Sequence, residues 1–391
     1  MDIVFGILLT FFIFLVVVLI HELGHFLTAR MTGMRVLEFG FGIPPKVFRL
    51  FTDKKGTEYT FNALPIGGFV RIKGEDPGSP ESSDADSFAA KSWWARALVL
   101  IAGVTMNFLL AIVILFGFFF IGTEPIAPNF LVEKDYNSLL LPSPKKAIDT
   151  GYLVYSGIEL TPLTGSVAEK SGIISGDVVV SVNGMKITHP QELIDAIKKN
   201  TTVALVLSGT GGERNVNLTP ENGKVGMYIG YSNLDVNRNY KEKYGAVESL
   251  QNAVQETYVL SYMTVDVLGK TLKNLIVPKT PADREEAKGM IAGPIGMGAG
   301  MVEMVDIGIT IRMILLIIAM ISINLGVINI LPFPALDGGR LLSTTIASLL
   351  SFFVVGKNRM AQIEAYIHTF GMILLLGLSL LIAFFDVSKF F

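Results

Sequence analysis

His21-Glu22-Leu23-Gly24-His25 closes an apolar run, Ile3 to Ile20, that contains no charged residue. On a helix, His21 and His25 lie four positions apart and share a face. Two imidazoles so placed can grip one zinc ion, with Glu22 acting on a water bound to it. A run of about 20 apolar residues is long enough to cross a bilayer, which puts this pattern at a membrane edge. Two His and a Glu at that depth cost several kcal/mol unless paired or ligated. HExxH also arises by chance on ordinary helices, and a structural helix is the competing reading. Asp2 stands where a signal peptide carries positive charge, and no small-residue cleavage site follows, so the run reads as a retained span.

Composition agrees with a membrane chain. Of 391 residues, 51% are hydrophobic and 17% charged, and the mean hydropathy is +0.53. This is the profile of a polytopic α-helical membrane protein with a soluble part. A net charge of −2 argues against nucleic acid as a partner. Without cysteine there is no disulfide, no thiol nucleophile and no thiolate zinc site, so a metal falls to His and carboxylate.

Four spans are expected, roughly Ile3 to Phe26, Ala97 to Ile121, Ile311 to Ile330 and Ala365 to Phe385. Arg30, Arg35, Lys91 and Arg96 flank the segment between spans one and two. Arg340, Lys357 and Arg359 lie between spans three and four, and the opposite flanks hold only Lys134. The positive-inside rule places the HELGH end in the cytoplasm and both termini outside.

Inside, strand-like pieces are expected at Val36 to Phe41, Glu58 to Asn62 and Phe69 to Lys73, with a hairpin turn at Asp53 to Gly56. Asp76 to Asp86 reads as a flexible linker. Outside, an irregular stretch 123–149 precedes a compact α/β domain over 150–220. Its helix is expected at Pro190 to Asn200 and its core at the alternating Val178, Val180 and Val182. Tyr244 to Val277 reads as a helix on the outer membrane surface, with Val247, Leu250, Val254, Tyr258 and Tyr262 on one side. Gly289 to Gly300 reads as a membrane-edge loop, since no strand precedes its glycines.

Asn329-Ile330-Leu331-Pro332-Phe333-Pro334-Ala335-Leu336-Asp337-Gly338-Gly339 ends span three. The prolines cannot continue a helix, so the backbone unwinds near membrane depth, which is tolerated only in a protein-packed or wet place. Asp337 reads either as a helix cap or as a third metal ligand. The second reading follows from two His lacking a partner and from both motifs ending on the cytoplasmic side. Two His and one carboxylate leave a fourth position for water. Glu364 and His368 are also four apart but sit at the start of span four, and are read as facing the interface.

These landmarks resemble the site-2 protease family of intramembrane zinc metalloproteases, and within it the bacterial RseP-type members. The resemblance rests on HExxH with NxxPxPxLDG, on Phe39 to Gly42 with Pro65 to Phe69, and on Gly293 to Gly296. It implies that His21, His25 and Asp337 hold Zn2+ and that Glu22 is the general base. Toward the substrate it implies Asn329 and Asn324, Pro332 and Pro334, and Gly67 and Gly68 in a membrane-dipping hairpin that pairs with an unwound substrate strand. The domain at 150–220 resembles a single PDZ domain, with His189 capping a turn. The division implied is 1–30 and 97–122 for the first two spans, 31–96 for the cytoplasmic loop, and 221–308 for the region after the domain. The third and fourth spans would be 309–340 and 365–386. The implied place is the bacterial cytoplasmic (inner) membrane. The implied partners are the lipid bilayer, single-pass transmembrane substrates such as anti-sigma factors or remnant signal peptides, and an extracytoplasmic peptide or protein at the PDZ domain. A transporter reading is opposed by four spans without inverted repeats.

Overall fold

The computed structural model describes residues 2–75, 79–126, 136–237, 239–290, 293–350 and 357–388. Two compact units result, Gly122–Glu242 and the remainder of the chain. The remainder holds four helices long and apolar enough to cross a membrane among the described residues: Ile3–Met31, Trp93–Ile121, Ile311–Ile330 and Ala365–Val387. The first belongs to α1 (Asp2–Met31). Its composition is apolar on every side, yet the bundle buries one stripe at four-residue spacing: Leu9, Ile13, Val17, His21, His25 and Ala29.

After α1 come β1 (Val36–Thr52) and β2 (Glu58–Ile72), two long antiparallel strands. Each bends, so residues 36–41 of β1 pair with 68–72 on one side and 58–61 on the other. Residues 46–52 then pair with 58–62, which makes a fourth strand segment absent from the sequence expectation. The bend at Gly42 needs glycine: its φ is +80°, and a Cβ would meet the Leu64 carbonyl. Asp53–Gly56 forms the expected turn, with Gly56 N–H donating to Asp53 O at 3.0 Å. The near half of the sheet is anchored, since Val36, Phe39 and Ile72 are buried with Phe26, Phe88 and Val99. The far half shows Ile43, Val47, Phe48, Leu50, Phe51 and Phe61 on its surface. The linker expected at 76–86 is held in its described part, because Lys73 pairs with Asp84 (2.7 Å) and Asp86 (2.8 Å). Then comes α2 (Trp93–Ile121).

The second unit opens with α3 (Pro144–Asp149) and β3 (Leu153–Val154). It continues with β4 (Gly157–Pro162), α4 (Val167–Lys170), β5 (Asp177–Val182), α5 (Pro190–Lys199), β6 (Val203–Gly209), β7 (Gly212–Leu218), β8 (Met227–Ser232) and β9 (Asp235–Val236). Five strands form one antiparallel sheet in the order β7-β6-β5-β4-β8. Because β8 pairs along all of β4, the domain does not stop at 220 as expected. The valine alternation is also corrected. A bulge between Val179 and Ser181 shifts the phase, so Val179 and Val182 are buried and Val180 is 36% exposed. Leu193 and Ile197 of α5 complete this core. His189 precedes α5 without a side-chain cap bond. Instead its ring meets the Tyr231 hydroxyl (3.2 Å) and Asp149 (2.9 Å). The Asp149 carboxylate accepts from His189 Nε2, which leaves Nδ1 of the neutral ring to accept the Tyr231 hydroxyl; burial first, then Tyr155, Asp149 and Glu192, push the Tyr231 phenol up to about 12.

Returning to the first unit, α6 (Ala246–Ile276) packs along α2 and is followed by α7 (Pro281–Met290). The expected stripe of Val247, Leu250, Val254, Tyr258 and Tyr262 is exposed, while Ser249, Glu256 and Thr257 are buried. The buried side is mixed, since Ala253, Val259, Leu260 and Met263 lie on it too, so the exposed apolar stripe is not the face that packs on the bundle. Next, α8 (Pro294–Ile307) replaces the expected glycine loop. Pro294 opens it, and the Asp386 carboxylate accepts Gly293 N–H (2.9 Å) and Gly296 N–H (2.8 Å), supplying a cap that lies 90 residues away in sequence. The chain ends with α9 (Ile311–Ile330), α10 (Asp337–Leu350) and α11 (Lys357–Ser388). The expected third segment, 309–340, is thus a helix, a turn and the start of another helix.

Candidate metal centre

The buried stripe of α1 delivers His21 and His25 to the face that meets α2. The turn after α9 delivers Asp337. His21 Nε2 lies 3.0 Å and His25 Nε2 3.3 Å from Asp337 Oδ2, and the two imidazole nitrogens are 3.1 Å apart. Among the described residues this is the group of His and acidic side chains that could hold a metal ion. A tetrahedral zinc with bonds of about 2.0–2.1 Å spaces its ligands roughly 3.3 Å apart, close to what is seen.

Proton bookkeeping points the same way. His25 Nδ1 meets the Val99 carbonyl at 2.8 Å. A carbonyl only accepts, so Nδ1 carries the proton and Nε2 presents a lone pair. Asn107, fully buried, meets His21 Nδ1 at 3.2 Å through its amide, and its Oδ1 has no hydrogen bond as oriented. Turning that amide over sets Oδ1 against His21 Nδ1–H. His21 Nε2 then also presents a lone pair. Asp337 Oδ2 is buried 3.0 Å and 3.3 Å from these two Nε2 atoms, and with both of them unprotonated it receives no hydrogen bond. Three lone pairs converge, and a cation is what such a cluster binds.

Space is provided by Gly103 of α2. A Cβ there would lie 2.7 Å from His21 Cε1 and His25 Cε1, and closer still to His25 Nε2. Gly24 serves the approach of the helices, since a Cβ on it would strike the Ala102 carbonyl. Sequence reasoning missed Val99, Gly103 and Asn107. An Asn inside the apolar stretch Trp93–Ile121 was the available signal, because a polar side chain at that depth is functional by default.

Glu22 points at the sheet. Its Oε2 accepts the Val70 N–H at 2.9 Å. The strand segment 67–72 runs beside Val18, Leu19 and Glu22, and Gly68 is confined by Leu19 and by the Gly40 carbonyl. Asn329 is brought to the centre, its amide 3.4 Å from His21 Nε2. Asn324 is not, because its Oδ1 accepts the Thr264 hydroxyl of α6 at 2.7 Å. Pro332 and Pro334 build the turn before Asp337, and Gly371 of α11 packs on Pro334 so closely that a Cβ would overlap it. His368 is turned inward, with Nδ1 3.1 Å from Ala335 N. The expectation that it faces the interface is therefore corrected: α11 closes over the turn. The side chain of Glu364 lies outside the described residues.

The profile of Peptidase family M50 matches residues 9–378. The chain belongs to this family. Like its relatives, this M50 peptidase is a zinc metalloprotease of the site-2 type in a membrane-spanning fold. It is 30% identical to a candidate zinc metalloprotease of Fusobacterium nucleatum, over 96% of either chain. It is 28% identical to the zinc metalloprotease RasP of Geobacillus kaustophilus, over 97% of either chain. Against the regulator of sigma-E protease RseP of Salmonella typhimurium the identity is 26%, over 93% of this chain and 95% of the relative. The donor set found here, two imidazoles and a carboxylate, suits zinc.

Proposed function

We propose that this M50 peptidase is an intramembrane endopeptidase that cuts the transmembrane segments of single-pass proteins, with His21, His25 and Asp337 holding the zinc and Glu22 as general base. The observation that carries this is the convergence of three lone pairs at the end of a membrane-spanning helix, next to a carboxylate that touches a sheet edge. Zinc supplies Lewis acidity, which lowers the pKa of water and polarises a carbonyl. Glu22 takes the proton of the attacking water and later gives it to the leaving amine. Asn329 donates its amide N–H to the substrate backbone, and Asn107 and Val99 keep both imidazoles in the ligating tautomer.

A helical substrate hides its amides and must unwind before hydrolysis. The strand 67–72 offers it a partner by strand addition, since the outward Val70 N–H now rests on Glu22. Gly67 and Gly68 let that strand lie flat on α1. In this reading the HELGH end faces the cytoplasm of a bacterial inner membrane, and the unit 122–242 is an outer PDZ-like domain that screens or docks substrates. One relative is named a regulator of sigma-E protease, and anti-sigma factors are one substrate class in this proposal. Remnant signal peptides share the same chemistry.

The test uses purified protein and a reporter transmembrane helix. Glu22→Gln should keep its zinc and lose turnover by roughly 10²–10⁴-fold. Near-wild-type cleavage by that variant would sink the assignment of the base.

A further inference from the structure

We infer that His368 is a positioning residue that holds the Asp337 turn in the conformation able to ligate metal. This rests on Asp337 being a zinc ligand.

The turn is under conformational load. Ala335, two residues before Asp337, has φ +76°, in the left-handed region that costs a residue with a Cβ about 1–2 kcal/mol. Gly338 and Gly339 are pressed against the Ile330 and Phe333 carbonyls, where no side chain fits. Such a turn needs a fixed partner for its free amide. Ala335 N–H donates to His368 Nδ1 at 3.1 Å. That bond dictates the tautomer: Nδ1 accepts, so Nε2 carries the proton. His368 Nε2 lies 3.2 Å from Ser343 Oγ, which in turn donates to Arg340 O at 3.0 Å. Every donor in this chain meets an acceptor. It runs from α11 through the turn into the first helical turns of α10, so it brackets Asp337 on both sides. Beyond it, Arg340 binds the Glu75 carboxylate (2.5 Å) and carbonyl (3.0 Å) at the end of the strand that touches Glu22. Two imidazoles bind the metal directly, and a third, 31 residues beyond Asp337, sets the carboxylate.

The experiment compares His368→Leu, His368→Asn and the double variant His368→Leu with Ala335→Gly, all as full chains in detergent. Zinc affinity is measured by chelator competition, and the visible spectrum is recorded after loading with Co2+. His368→Leu should bind zinc 10–100-fold more weakly and give a changed Co2+ spectrum. His368→Asn should recover most of both, because its Oδ1 can accept the Ala335 amide. The double variant should also recover, because glycine takes a positive φ without cost. Unchanged affinity and spectrum in His368→Leu would overturn the inference, as would His368→Asn being no better than leucine. Asp337→Ala, run alongside, must lose zinc. If it keeps full zinc, the ligand assignment itself fails and the role of His368 falls with it. If it loses zinc while His368→Leu does not, only the His368 role is wrong.

Discussion

Gly103→Ala sets two physical effects against each other in one methyl group. Gly103 lies inside α2, where alanine should stabilise the helix by about 1 kcal/mol. Yet the new Cβ would sit 2.7 Å from carbons of both imidazoles. That is roughly 0.8 Å or more inside the ordinary carbon–carbon contact distance of about 3.5–4.0 Å. Neither ring can turn away freely, because His25 is tied to Val99 O and His21 to Asn107. The helices must part or a ligand must leave its bearing. A displacement near 1 Å at a reacting centre costs about 100-fold in rate, and overpacking of this kind costs about 1–3 kcal/mol in stability. The expected outcome is turnover down by 100-fold or more, with weakened zinc binding. Gly117 of the same helix is the control, since nothing lies within 4 Å of a Cβ there. Gly117→Ala should leave zinc and turnover unchanged and raise stability by about 1 kcal/mol. The assays are metal analysis of the purified variants, cleavage of the reporter helix, and thermal unfolding in detergent. Wild-type zinc affinity and turnover in Gly103→Ala would refute the claim that the missing side chain makes room for the metal.

Asn107→Leu should lower zinc affinity about 10–100-fold by removing the partner of His21 Nδ1, measured by chelator competition; an unaltered affinity would show that His21 needs no such support. Cysteine labelling can fix the orientation, because the chain has no cysteine of its own. A Cys at Ser83 should be shielded from an impermeant reagent in intact cells and one at Asn215 should react; the reverse pattern would invert the topology. Excision of the whole unit 122–242, joined by a short flexible linker, should leave zinc content intact, since every residue of the metal centre lies in the other unit. Cleavage of a reporter with a bulky outer domain should rise after excision if the unit screens, and cleavage of a short-tailed one should fall if it docks. Unchanged rates for both would end its proposed role in selection.

What the sequence determined by itself was the part carried by local chemistry. Four spans follow from length and hydropathy, and the His21–His25 pair follows from helical spacing. The unwinding before Asp337 follows from Pro332 and Pro334, and the Asp53–Gly56 turn from its residue types. Boundaries and partners were decided only in three dimensions. Along apolar helices hydropathy hardly distinguishes one face from another, so only Asn107 marks the buried stripe of α2, and nothing in the sequence marks Gly103 as the residue that makes room for the imidazoles. A bulge in β5 put Val179 in the core in place of Val178 and Val180 while Val182 stayed there, and β8 joined its sheet from beyond the expected boundary, because register is set by the neighbouring strand. Asn324 and Asn329 share one helix, and packing alone sends the first to Thr264 and the second to His21. His368 looked like an interface residue, and its place on the Ala335 amide depends on how α11 packs over the turn. A span records that it enters the membrane; which of its faces meets lipid and which meets the metal is settled by the helices around it.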